Sequence, residues 1–92
     1  MLFRSAEFSV AQIVISRQGK DSGLVYVVSG VDPDGRVRVI RPEKYNVTHP
    51  KAKNPKHLQP TNKRAENLTD YIKAGKDIDA GYFHRSVGIN GE

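Results

Sequence analysis

The first forty residues alternate between apolar runs and short polar breaks. In FSVAQIVISR, the residues Val10, Ile13, Val14 and Ile15 predict a mostly buried strand of about seven residues. QGKDSG follows, a turn with Gly19 and Gly23 at its two ends. LVYVVSGV, dense in β-branched and aromatic side chains, predicts a second strand. DPDG then predicts a hairpin turn, with Pro33 presetting φ and Gly35 free to take positive φ at a bulged exit. RVRVI is the return strand. Its alternation puts Val37 and Val39 on one face and Arg36 and Arg38 on the other.

Three short strands bury little by themselves. They predict a small, strongly bent sheet that closes into a partly open barrel with one or two further strands. KYNV is a weak candidate for one, and KHL could pair as a short final strand. From Asn46 to Arg64 the chain reads NVTHPKAKNPKHLQPTNKR, with Pro50, Pro55 and Pro60 five residues apart. Each proline removes an amide donor and drives its predecessor toward extended geometry, so an extended arm is expected there and not a helix. Beyond it, AENLTDYIKAG places Leu68, Tyr71 and Ile72 at helical spacing. Thr61 or Asn62 is a candidate cap, and Gly75 a stop. Glu66 and Asp70 precede Lys73 and Lys76, an order that suits the helix dipole. KDIDAGYFHRSVGINGE shows no clear period and is expected to be loose. The organisation predicted is a barrel with basic arm over residues 1–60, a short helix packed on it over 61–76, and an irregular tail over 77–92.

Charge changes this picture. From Arg36 to Arg64 there are nine Lys or Arg against one acid, Glu43, a local +8. The rest of the chain carries six bases and nine acids, or −3, which together give the net +5. The protein is thus mildly acidic with one basic block. Such segregation is the footprint of a polyanion binder, set against a solvated face kept for solubility. At 92 residues with 37% hydrophobic content, there is room for one small core. The absence of cysteine excludes disulfides and thiolate metal sites. No apolar run reaches the roughly 20 residues of a membrane span, and MLFRSAEFSV does not read as a signal peptide. A soluble cytoplasmic protein, monomeric and with no membrane association, is expected.

Catalysis finds no constellation. His49, His57 and His84 lack metal-ligand spacing, and no nucleophile elbow or phosphate-binding loop is present. Asp32 and Asp34 flank a turn proline, where carboxylates serve local hydrogen bonds. Neither an enzyme nor a cofactor is expected.

QIVISRQGKDSGLVYVVSGVDPDGRVRVI resembles a KOW motif, the short strand unit of ribosomal proteins and NusG-type transcription factors, with Gly23 as the best match to its glycine. Ser16, Gly19, Lys20, Asp21 and Gly23 match a turn found in one group of archaeal and eukaryotic large-subunit ribosomal proteins and in the small bacterial KOW-domain proteins related to them. Pro50, Lys51, Lys53, Asn54, Lys56, His57 and Leu58 match their following arm at the same spacing. The resemblance covers about residues 8 to 75. It implies a mainly β, SH3-like barrel with a basic extended arm and a short C-terminal helix, binding structured ribosomal RNA or associating with the ribosome in translation, with ribosomal proteins as further partners. The alternative it leaves open is a NusG-type module contacting a polymerase or ribosomal protein through the Leu68/Tyr71 face. The chain departs from the pattern at Ala11, where glycine is usual, in the less regular RPEKYNVTH, and in a tail without a second amphipathic helix.

The candidate RNA-binding residues are Arg17, Lys20, Arg36, Arg38, Lys51, Lys53, Asn54, Lys56, His57, Lys63 and Arg64. Cations on a proline-stiffened arm can follow a phosphate backbone at low ordering cost. His57 either stacks on a base or bonds a phosphate, or it packs where Leu58 enters the barrel. With few exposed aromatics, recognition of folded RNA by shape and phosphate is expected to outweigh base stacking.

Overall fold

The computed structural model describes residues 8–20 and 22–88. The amino-terminal reading of MLFRSAE, the turn match at Asp21 and the last four residues lie outside the described part. Five strands form one antiparallel sheet: β1 (Gln12–Ser16), β2 (Val25–Val31), β3 (Val37–Ile40), β4 (Lys51–Lys53) and β5 (Leu58–Arg64). Their order is β4-β3-β2-β1-β5. A 3₁₀ turn, Pro55–His57, carries the chain from one edge strand to the other. This is the small, mainly β, barrel-like sheet anticipated from the hairpin pattern. A second 3₁₀ turn (Glu66–Leu68) leads into two short helices, α1 (Thr69–Ala74) and α2 (Ala80–Val87).

The strands read as near-continuous apolar runs because the sheet is covered on both faces. Val14, Tyr26, Val28, Val37, Val39 and Leu58 point into the barrel and pack with Phe8. Ile13, Val27 and Ile40, in register across β1, β2 and β3, point outward. There they meet Ala65, Leu68, Ile78, Phe83 and Val87 from the carboxy-terminal segment. The alternation expected of RVRVI holds, with Val37 and Val39 buried and Arg38 exposed. Ile40, however, shares the face of Arg38 and is fully buried beneath the helical layer.

Three expectations are corrected. The proline-rich arm does not run out from the barrel: it is the barrel's two edge strands. Pro50 precedes β4, Pro55 opens the 3₁₀ turn, and Pro60 sits in β5 opposite Val14. These are positions where a missing amide donor costs little. β5 continues to Arg64, so a boundary at residue 60 falls inside a strand. Thr61 and Asn62 consequently cap no helix. The Thr61 hydroxyl donates to the Ile13 carbonyl (2.6 Å), and the Gln12 amide donates to the Thr61 carbonyl (3.0 Å), stitching β5 to β1.

The tail is the third correction, because residues 80–87 form α2. Asp79 caps it by accepting the Tyr82 amide (3.1 Å), and Gly88 closes it at φ 62°. Ile78 before the cap and Phe83 in the second turn lie in one cluster, the arrangement of a hydrophobic staple. Phe83 and Val87, four residues apart, then bury the helix against the outer face of the sheet. α1 ends at Gly75 as expected, with φ 71°. Leu68 belongs to the 3₁₀ turn before it and is fully buried.

Candidate nucleic-acid interface

In this meander the β1–β2 turn and the β3–β4 loop share one end of the barrel, and the β2–β3 hairpin turn occupies the other. The candidate cations divide between those ends. At the hairpin end, Arg38 pairs with Asp32 (2.9 Å) and lies over Gly30, whose missing side chain leaves room for the guanidinium. Arg36 pairs more loosely with Asp34 (3.8 Å). Arg64, on β5, donates to the Ser9 hydroxyl (2.6 Å) and the Val10 carbonyl (2.7 Å) and lies 3.8 Å from Glu66. These three arginines are tied into local structure.

The other candidates gather differently. Arg17 and His57 are joined through the backbone, the Arg17 amide donating to the His57 carbonyl (2.8 Å). The Asn54 side chain caps the 3₁₀ turn by accepting the Lys56 amide (2.9 Å). Lys56 and His57 are exposed on that turn, and Leu58 alone enters the core. His57 therefore does not pack. Lys63 is exposed on β5, its amide held by the Thr61 hydroxyl (3.1 Å). On β4, Lys51 and Lys53 alternate with Ala52 and so share a face. Their ammonium groups sit 5.8 Å from the Tyr45 ring and 5.5 Å from the Tyr26 ring.

A groove opens between the β1–β2 turn and the β3–β4 loop, lined by Lys20, Leu24, Tyr26, Lys44 and Tyr45. Four of these five were not singled out in the sequence. They come from separate segments, and Lys44 with Tyr45 looked like a weak strand. The structure shows a turn instead: the Lys44 and Tyr45 amides both donate to the Arg41 carbonyl (2.8 Å), and the Arg41 amide returns a bond to the Tyr45 carbonyl (2.7 Å). With Lys51 and Lys53 above the two rings, four ammonium groups surround this groove, and no acid among the described residues lines it.

Two acids near the β3–β4 loop are committed to its contacts with the helical layer. Glu43, next to Lys44, hydrogen-bonds His84 on α2 and lies 3.8 Å from Arg41. The His84 bond is the main reason that its carboxyl is held below the usual glutamate range. Asp77 accepts both the Thr48 amide and hydroxyl (2.9 Å each), which lowers its pKa too. Asn46 completes the attachment. Its side chain donates to the Ile78 carbonyl (2.9 Å) and accepts the Ile78 amide (2.8 Å), imitating one rung of a β-ladder. The β3–β4 loop is thus fastened to the helical layer at three points.

Among the described residues no three His, Asp or Glu side chains cluster in a way that could hold a metal ion. No helix among them is long and apolar enough to cross a membrane. The Leu68/Tyr71 face is largely used internally: Leu68 is in the core, Ile72 packs on it, and Tyr71, 37% exposed, leans on Tyr82 at 5.6 Å between ring centres. Fold and surface together define a small mainly β barrel with a lysine-rich end. No protein-family model and no curated protein matches the chain.

Proposed function

We propose that this protein is an RNA-binding module that grips structured RNA, ribosomal RNA foremost, through the lysine-rich end of its barrel. The observation that carries the reading is a sorting of charge. Asp32, Asp34, Glu43, Glu66, Asp77 and Asp79 each hold a partner within the fold. Lys20, Lys44 and Lys51, with Lys53 beside them, meet around a groove that no acid among the described residues lines. Clustered ammonium groups on short turns and edge strands suit a phosphate backbone, and each contact releases counterions. The resemblance to KOW-domain proteins agrees with this, as does the exposed run of Lys56, His57 and Lys63.

The test is a salt series. Affinity for a folded ribosomal RNA fragment, read by fluorescence anisotropy, falls linearly on a log–log plot between about 50 and 200 mM salt. Lys51→Ala reduces the slope by about 0.7–0.9. Arg38→Ala leaves the slope unchanged, because its charge is already answered by Asp32. Binding that is absent, or insensitive to salt, contradicts the reading.

A further inference from the structure

The groove contains more than charge. Its floor is the Tyr26 ring, almost fully buried beneath the Lys53 ammonium. Its walls are Leu24 and Tyr45, both part-exposed, and its rim carries Lys20 and Lys44. Leu24 and Tyr45 pack against the barrel core on one side and leave the other side facing the groove, an apolar wall set among four ammonium groups. The geometry points to a pocket for one unpaired RNA nucleotide, its base against Tyr45 and Leu24 and its flanking phosphates on Lys20, Lys44 and Lys51. This rests on the RNA-binding reading and names the part of the RNA that the site selects.

Three features support it. First, Tyr45 is a fixed platform. Both its backbone polar groups are bonded to Arg41, and the loop that carries it is anchored through Asn46, Thr48 and Glu43 to the helical layer. A ring held in place loses little freedom when a base stacks on it. Second, Lys51 lies over the Tyr45 ring at 5.8 Å, so one face of the ring is turned to the side where cations gather. A base arriving there takes the ring face, and the displaced ammonium group has a phosphate within the reach of its own side chain. Third, the Glu43 carboxylate is drawn to His84 and Arg41 and away from the lysines, so that it does not repel an incoming phosphate. The bases of an A-form helix are stacked and paired, and only a bulge, loop or end can offer one to such a pocket.

The experiment compares two labelled RNA hairpins of equal length and charge at one salt concentration, one fully paired and one with a single unpaired nucleotide. The full chain is expected to bind the bulged hairpin roughly tenfold more tightly. Tyr45→Ala is expected to abolish that preference, and Tyr45→Phe, which retains the ring, to keep it. Lys44→Gln lowers affinity for both hairpins. Equal affinity of the wild type for the two hairpins overturns the nucleotide pocket but leaves the salt-dependent RNA-binding reading standing. A preference that survives Tyr45→Ala also overturns it. Failure to bind either hairpin overturns both readings. Displacement of the bulged hairpin by a free nucleoside monophosphate overturns the assignment to an RNA strand.

Discussion

At the scale of single residues, Ala11 is the strained position. Its φ is 74°, a left-handed conformation that costs a residue with a side chain about 1–2 kcal/mol. The strain persists because the position is over-determined. Its amide donates to Val28 (2.8 Å), its carbonyl accepts from Ala65 (2.7 Å), and it is fully buried. Glycine adopts this φ without that cost. Ala11→Gly relieves the strain but loses a buried methyl worth about 0.8 kcal/mol and adds chain entropy of about 0.5–1 kcal/mol to the unfolded state. Urea unfolding is expected to find it neutral to within about 1 kcal/mol. Ala11→Val, β-branched at positive φ, is expected to cost about 2 kcal/mol or more. Equal losses for both would show that the backbone there is not strained.

At the scale of elements, the attachment of the β3–β4 loop to α2 carries a pH dependence. Glu43 has a lowered pKa in the folded protein, chiefly through its hydrogen bond with His84. A depressed carboxylate stabilises the fold above its unfolded pKa, about 4.3, and that contribution is lost as pH falls through the lower folded value. With 46% of its side chain exposed, Glu43 contributes below about 1 kcal/mol. Denaturant melts from neutral to acid pH are expected to show wild type and Glu43→Gln converging below about pH 4. A gap that stays constant into acid would rule out the ionised contact. Helix α2 was legible in principle. Ile78, the Asp79 cap, Phe83, Val87 and the closing Gly88 form a complete signature. Gly81 obscured it, since glycine inside a helix disfavours it by about 1 kcal/mol. Burial of Phe83 and Val87 against the sheet outweighs that penalty, and no local pattern displays this burial.

At the scale of the whole molecule, strands β1–β3 hold up two apolar clusters, one inside the barrel and one under the helices. Neither layer is independent of the other. Phe83→Ala, which opens a cavity in the outer cluster, is expected to cost about 3–5 kcal/mol, a large share of the roughly 5–15 kcal/mol typical of a domain. The far-UV helix signal and the amide NMR signals of Val28 and Val39 in the barrel are expected to melt together. Separate transitions would mean that the helices form an appendage. The same two-sided burial explains why the strands and the DPDG hairpin could be read from the chain: β-branched runs and turn residues act locally, whichever layer covers them.

The sequence by itself determined the first three strands, the non-α-helical and largely extended course of residues 46–64, the stop at Gly75 and the segregation of charge. These follow from dihedral preference, missing donors and simple counting. Only the tertiary structure decided that the extended basic stretch forms the two edges of the barrel, that Arg36, Arg38 and Arg64 are tied down, and that Lys20, Lys44, Lys51 and Lys53 meet around Tyr26 and Tyr45. Those lysines come from three segments up to thirty-three positions apart. Closing the barrel brings them together, and closure is driven by burial of Leu58, Val37 and Val39, not by any feature of the lysines themselves.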